Sequence, residues 1–511
     1  MRSDPPSLLA ATEDAPLAVV IGAGFGGLAA AVRLACRGWR VQVLEKLDTP
    51  GGRAGVHRQD GFTFDLGPTI VTVPQLFEEL WSMAGARLQD DVQLKPLDPF
   101  YRIRFDDGGW FDYSGDPDRM RSEVARIHAP DLPGYERFLA EAELAYRLGF
   151  EELGAVAFDS VGDLLRAVPA LLKMRSWRTI RALVWRHFRH PHLRIAFSLQ
   201  PLLIGGNPAS VSSTYSLINI LERRFGVHWA MGGTGVLVNG LVRLLSRLGV
   251  NVRCNAPVRQ ILVENGRACG VRLEDGERID ADIVISNGDS AWTYRNLVAP
   301  EHRRVWSDRK IERSRYSMSL FVWYFGVKRR YEDVPHHTMV MGPRYEGLLR
   351  DIFHRHHLAE DFSLYVHRPT ATDPSMAPPG CDTFYALAPV PHLDSGTDWS
   401  RMAEPYRQAI SDRLEATLLP GLSDQVVVSN VTTPQDFQDR LWSYKGAAFG
   451  LEPLLVQSAW FRPHNRSEDV PGLYLVGAGT HPGAGVPGVL MSAKALETVL
   501  PPVSAFTRRM A

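Results

Sequence analysis

The sequence predicts an α/β fold, with a parallel sheet flanked by helices and interleaved along the chain with a second domain. Three observations carry that prediction. Near the start, an apolar strand (Leu17 to Ile21) enters Gly22-Ala23-Gly24-Phe25-Gly26-Gly27 and then a helix of Ala and Leu from Leu28 to Arg37. Near the end, a strand over Gly472 to Val476 enters a glycine-rich turn over Gly477 to Gly485, and a helix follows from Val489 to Leu500. Between them, Gly232-Gly233-Thr234-Gly235 opens an apolar helix through Leu248, and Ala281 to Ser286 returns as a buried strand.

The first of these units carries chemistry. Gly22, Gly24 and Gly27 form G-x-G-x-x-G directly after a strand, and a second strand (Arg40 to Leu44) delivers Glu45 about 20 residues on. Glycines let the backbone close on a pyrophosphate whose charge sits at the helix N-terminus, among unpaired N–H groups. Glu45 accepts hydrogen bonds from ribose hydroxyls. The expression alone is weak, and Gly483, Gly485 and Gly488 fit it too, without a strand immediately before or an acid after. Only the first copy has every part in order.

The next residues say which dinucleotide. Glu45-Lys46 precedes Gly51-Gly52-Arg53, a second turn whose arginine offers a fork of donors to phosphate oxygens. Sequences of this type resemble flavoproteins that hold FAD. At the far end Gly477, Gly479, Gly485 and Val486 are expected cofactor contacts, and the helix from Val489 can point its N-terminus at a flavin ring and favour negative charge there. Thr480 stands where many related flavoproteins have an acid, so no ribitol contact is assigned. Val258, opening a strand to Val263, completes the expected cofactor contacts.

Composition bounds the rest. With 511 residues, 45% of them hydrophobic, the chain can bury two or three sizeable cores. A formal net charge of zero argues against nucleic acid as the main partner. Cys36, Cys254, Cys269 and Cys381 have neither metal-site nor disulfide-framework spacing, which predicts a reducing compartment and no metal. Residues 1–15 read as a flexible, polar lead with no secretory signal. The predicted cofactor domain comprises 16–75, 225–295 and 470–500. The substrate domain comprises 76–118 and 296–469, with strands such as Ser319 to Phe325 and Thr383 to Ala388 in a mixed sheet. Residues 119–224 read as a helical subdomain with a candidate membrane-contacting face.

That helical region breaks the charge balance. No Asp or Glu occurs from Leu164 to Leu221, while Arg166, Lys173, Arg175, Arg178, Arg181, Arg186, Arg189 and Arg194 all fall inside. Trp177, Ile180, Val184 and Phe188 recur on one side of a helix, and Arg175, Arg178, Arg186 and Arg189 on the other. Such a helix suits a bilayer interface with anionic headgroups; the alternative is a solvated cationic face over an ordinary core. Asp163 and Arg166, three residues apart, are candidates for an acid/base pair, although Ser160-Val161-Gly162-Asp163 also spells a capping box. His367, Arg368 and Asp373 form a weaker candidate set.

Several motifs are shared with one family. Asp65-Leu66-Gly67-Pro68-Thr69-Ile70-Val71, Leu202 to Pro208, Ala388 to Leu393, Gln457 to Asn465 and Val476 to Gly485 resemble the bacterial and fungal type of phytoene desaturase, with likeness over about 16–500. The resemblance implies FAD-dependent desaturation of phytoene to neurosporene or lycopene, by hydride transfer from allylic carbons. It also implies peripheral attachment at the cytoplasmic face of the cell membrane, with quinone or oxygen reoxidising the flavin. At about 0.8 kcal/mol per CH₂, moving forty carbons from lipid into water would cost on the order of 30 kcal/mol, so such a substrate is drawn from the bilayer directly. Other readings are a desaturase or isomerase of a modified carotenoid, an amine oxidase-like flavoenzyme, or a prenyl-lipid escort protein without redox chemistry. The intact glycines, Glu45 and Arg53 speak against the last.

Overall fold

The computed structural model describes residues 14–507. The flexible lead expected over 1–15 falls almost wholly outside them.

The first layer is a five-stranded parallel sheet in the order Leu473–Leu475, Ile283–Ser286, Leu17–Ile21, Arg40–Leu44, Asn251–Arg253. Every strand is short, and the central ones, Leu17–Ile21 and Ile283–Ser286, are buried almost throughout, as expected of a sheet covered on both faces. Helices Phe25–Cys36, Thr234–Arg247 and Val486–Glu497 pack together on one face. Ala29, Ala30 and Ala31 are fully buried there, because small side chains let neighbouring helices approach. The other face carries an antiparallel sheet of Val258–Glu264, Arg267–Leu273 and Arg278–Asp280.

The second layer is a seven-stranded mixed sheet: Val426–Thr432, Ser319–Val327, Asp382–Val390, Leu364–His367, His337–Val340, Tyr101–Arg104, Trp110–Tyr113. All its pairings are antiparallel except His337–Val340 with Tyr101–Arg104. Ser319–Val327 is buried along its whole length. One face packs on the helix Trp399–Thr417. The other faces Phe62, Phe64 and the helical region, and the cleft opens between these layers.

The helical region corrects one expectation. Ile180, Val184 and Phe188 lie in the core beneath the second sheet. Arg178 is mostly buried and donates to Glu141 at 2.6 Å, and that carboxylate also meets His187. The helix Ile180–His187 is therefore an ordinary core helix. An exposed apolar stripe lies instead one helix earlier, on Val161–Lys173, where Val161, Leu165, Val168 and Leu172 share a face at helical spacing. Trp177 follows it, 61% exposed. No helix among the described residues is long and apolar enough to cross a membrane. The four cysteines form no disulfide.

Candidate active site

A single cleft of about 530 Å³, in the range of cofactor and ligand sites, runs from the carboxyl end of the parallel sheet to the mixed sheet. Gly22, Gly24, Glu45, Lys46, Gly52, Arg53, Val258, Gly485 and Val486 line it.

The glycines divide into two kinds. Gly52 faces open space, since an added Cβ would meet nothing closer than 3.9 Å, and Gly51 N donates to Ala23 O at 2.8 Å, tying the two glycine turns together. Gly27, Gly477 and Gly479, also expected as cofactor contacts, are not among the residues that line the cleft. A Cβ on Gly27 would stand 2.1 Å from Gly22 O, and those on Gly477 and Gly479 would run into Asn287 and Ser290. These three are glycine because helix, strand and turn touch there. Gly488 meets Gly483 O in the same way, at 2.5 Å. The second G-x-G-x-x-G is thus a real turn at a helix N-terminus, and the helix begins at Val486, three residues earlier than the sequence suggests.

Glu45 is buried, and each carboxylate oxygen accepts one backbone N–H, from Ala23 at 2.8 Å and Leu47 at 2.9 Å. Lone pairs remain on both oxygens for ribose hydroxyls. Beside it, Lys46 lies 3.9 Å over the Trp442 ring and donates to Asp439 O. Burial pushes its ammonium down to about 8. Arg53 differs from expectation. Its Nε donates to Ala448 O and its Nη2 to Ser443, so the full fork is not presented to a ligand. Burial lowers its pKa, and Asp289, also lining the cleft, opposes that. Thr480 is buried against Ser492 and Gly477, away from the cleft.

Beyond Arg53 the cleft becomes an apolar chamber walled by Leu202, Leu203, Ile218, Leu221, Met339 and Leu348. Its polar groups are few. Thr69 Oγ1 bonds Tyr365 OH at 2.9 Å and Tyr385 OH at 2.7 Å. Glu222 is fully enclosed, and burial pushes its carboxyl up to about 8, so it is neutral at pH 7 with Tyr101 OH as its partner. Glu222 carries no motif in the sequence beyond being the first acid after the acid-free stretch 164–221. Asn287, which packs beside Gly22, Gly24, Gly26 and Gly27 of the first turn and Gly477 of the last, and Asp289 carry no local sequence signal.

Neither Asp163 nor Arg166 lines the cleft. Asp163 is the third residue of an exposed helix and closes a capping box, accepting from Ser160 N at 2.9 Å and Ser160 Oγ at 2.8 Å. Its other oxygen meets Arg166, whose side chain is 78% exposed. Arg368 is buried on Asp382, and Asp373 accepts from the Gly232 and Ser375 N–H groups, so both hold loops in place. His367 sits in a buried histidine cluster outside the cleft.

The residues present fit a flavin dinucleotide: a bare-backbone cradle at Gly24 and Gly52, an acid with free lone pairs, and a helix N-terminus at Val486 on the opposite flank. The profile of the family described as flavin containing amine oxidoreductase matches residues 25–495. The neurosporene-forming phytoene desaturase of Cereibacter sphaeroides is 48% identical over 96% of this chain and 95% of its own. The lycopene-forming phytoene desaturase of Pseudescherichia vulneris is also 48% identical, over 94% and 98%. Among solved structures, a putrescine oxidase shares the fold with a TM-score of 0.65 at 16% identity, covering 97% of this chain and 99% of that one. The cofactor is FAD, and the chain belongs to the bacterial phytoene desaturases, within the flavin-containing amine oxidoreductase family.

Proposed function

We propose that this protein is an FAD-dependent desaturase that converts phytoene into more conjugated carotenes, neurosporene or lycopene, at a membrane surface. The observation that carries the reading is the continuity of the cleft, in which the cofactor cradle opens directly into a long apolar chamber. Bound FAD supplies the acceptor for the hydride leaving an allylic carbon. Gly22, Gly24, Gly52, Glu45, Lys46, Arg53, Val258, Gly485 and Val486 hold it, by backbone N–H groups, ribose hydrogen bonds and charge. The leucines and methionines of the chamber hold the polyene in line and exclude water, and placement is most of what the reaction requires. Reoxidation by quinone or oxygen completes the cycle.

The substrate enters from the bilayer. The stripe Val161, Leu165, Val168, Leu172 and the exposed Trp177 form the docking face, with Lys173 and Arg175 beside it for anionic headgroups. Its neighbours reach the chamber. Ser176 bonds Thr214, and the adjacent Tyr215 lines the cleft. Tyr215 also bonds Ser458, between the exposed Val456 and Phe461. Two apolar surface features thus flank one wall of the chamber, and the cytoplasmic membrane face is the expected location. Expression in a phytoene-accumulating host tests the activity: coloured carotenes support it, and unchanged phytoene refutes it.

A further inference from the structure

Outside the cofactor cleft, three histidines are buried together. His337 and His367 are register partners on neighbouring strands of the mixed sheet, and His336 precedes the first. One ring nitrogen of each lies within 4.8 Å of the other two, and the ring centres are 4.5, 4.9 and 5.1 Å apart. Their Nδ1 atoms are all engaged: His336 with Thr372 Oγ1 at 2.7 Å, His337 with Tyr365 OH at 2.8 Å, and His367 with His337 Nδ1 at 3.3 Å. Their Nε2 atoms are all buried without a partner. Leaving one such group unsatisfied costs about 1–3 kcal/mol, so three in one place call for an occupant.

The occupant is water or a cation, and charge decides between them. Burial is the largest influence pushing His336 away from its cationic form, and the other two histidines, Arg368 and Lys95 push the same way. Burial likewise holds His337 down to about 3. A divalent cation here would be an uncompensated buried charge. Neutral imidazoles can instead exchange hydrogen bonds with a buried water.

The cluster also connects two spaces. At one end Tyr365, which bonds His337, lines the apolar chamber together with its partner Thr69 and with Tyr385. At the other end His336 and Thr372 line a second cavity of about 420 Å³, whose wall includes the charged residues Lys95, Asp98, Arg330 and Glu332. We propose that Tyr365, His337, His336 and Thr372, bridged by one buried water that His367 holds, form a relay that carries the proton of each desaturation from the chamber to this second cavity. The proposal rests on the desaturase reading. In each turnover two C–H bonds on neighbouring carbons break and one C=C bond forms. One hydrogen leaves with its electron pair to the cofactor, and the other leaves as a proton. Tyr365 takes that proton as it gives its own to His337 Nδ1, and each imidazole accepts on one ring nitrogen and releases from the other. Every relay group ends neutral, each imidazole in its other tautomer, and ring rotation resets the line before the next turnover.

Two variants of the FAD-loaded enzyme, supplied with phytoene in liposomes, test the relay at its two ends. Tyr365→Phe removes only a hydroxyl, and His336→Ala removes a ring that does not line the chamber. Both should retain FAD and melting temperature while slowing carotene formation by roughly 10- to 100-fold, the lower part of the range for assisted proton transfer. Imidazole diffusing into the second cavity should restore His336→Ala, and pyrrole, of the same shape but without a basic nitrogen, should not. A crystal structure of the wild-type enzyme should show one water bonded to the histidine Nε2 atoms, and elemental analysis no bound metal. Wild-type rates in both variants, equal rescue by pyrrole, an empty site or a stoichiometric metal would each overturn the relay. A wild-type enzyme that leaves phytoene untouched would overturn the desaturase reading instead.

Discussion

Replacing Leu165 and Leu172 together by Glu should detach the protein from membranes while leaving its fold intact. Leu165 is 65% exposed and Leu172 58% exposed, and neither belongs to the small cluster of Ala145, Leu148 and Met174 that seats their helix. Full burial of a leucine side chain contributes about 1.5–3 kcal/mol, so removing the exposed fraction of each from water contributes about 1–2 kcal/mol. The pair accounts for about 2–4 kcal/mol, or roughly 30- to 1,000-fold in partitioning, before any penalty for the new charges. Co-sedimentation of the holoenzyme with neutral and with anionic liposomes measures it. The variant should lose binding to both, with an unchanged melting temperature. Unaltered partitioning would refute the assignment of this stripe as the docking face, and a lowered melting temperature would show that the helix packs inward in solution.

Three further outcomes follow from the cleft. Glu45→Ala removes the carboxylate that accepts from Ala23 of the first turn, and Gly24→Val puts a side chain in the cradle, so both variants should emerge from gel filtration depleted in flavin; full flavin content would displace the cofactor from this site. Asp163→Asn keeps an acceptor for the Ser160 groups, so pigment formation should be unchanged, whereas a 10²–10⁴-fold loss would restore a proton-transfer role to that residue. Glu222 binds its proton more tightly folded than unfolded, so the wild type should lose stability as pH rises from about 4.5 toward about 8; Glu222→Gln should flatten that loss, and parallel urea-unfolding profiles between pH 5 and pH 9 would contradict it.

The cofactor half of the site was legible because its chemistry is local. A strand, three glycines, a helix and an acid at fixed spacing are consequences of one strand-turn-helix, so Leu17–Ile21 and Arg40–Leu44 lie where the pattern puts them. Which glycines touch ligand was not legible. Gly24 and Gly27 look alike in sequence, and only the close approach of the Gly22 carbonyl separates a cradle from a packing contact. The chamber was illegible for a different reason: Leu202, Ile218, Met339 and Leu348 come from distant segments, and an apolar residue facing a cavity has the same composition signal as one facing a core. The cationic region misled because the arginine count was read without its partners. Glu141 lies outside the acid-free stretch, yet it neutralises Arg178 across the helix pair. The exposed stripe one helix earlier has an equally clear period, but an apolar face turned to the surface has the same spacing in sequence as one turned to a core.

The same physics that makes the chamber suitable for a hydrocarbon restricts how it can manage protons. An ionised side chain facing such walls is penalised by desolvation, and Glu222, the acid enclosed there, illustrates this by holding its proton up to about 8. A base resting beside the polyene would have to become charged, or change charge, in an environment that opposes both. Groups that pass a proton and end neutral avoid that penalty, since a hydroxyl or an imidazole gives up one hydrogen as it takes another. Thr69, Tyr365 and Tyr385 are such groups at the chamber wall, and the histidines behind Tyr365 continue the line toward charged surroundings. A desaturase built this way needs no ionised acid or base in contact with its substrate, because the hydroxyl that takes the proton passes on its own.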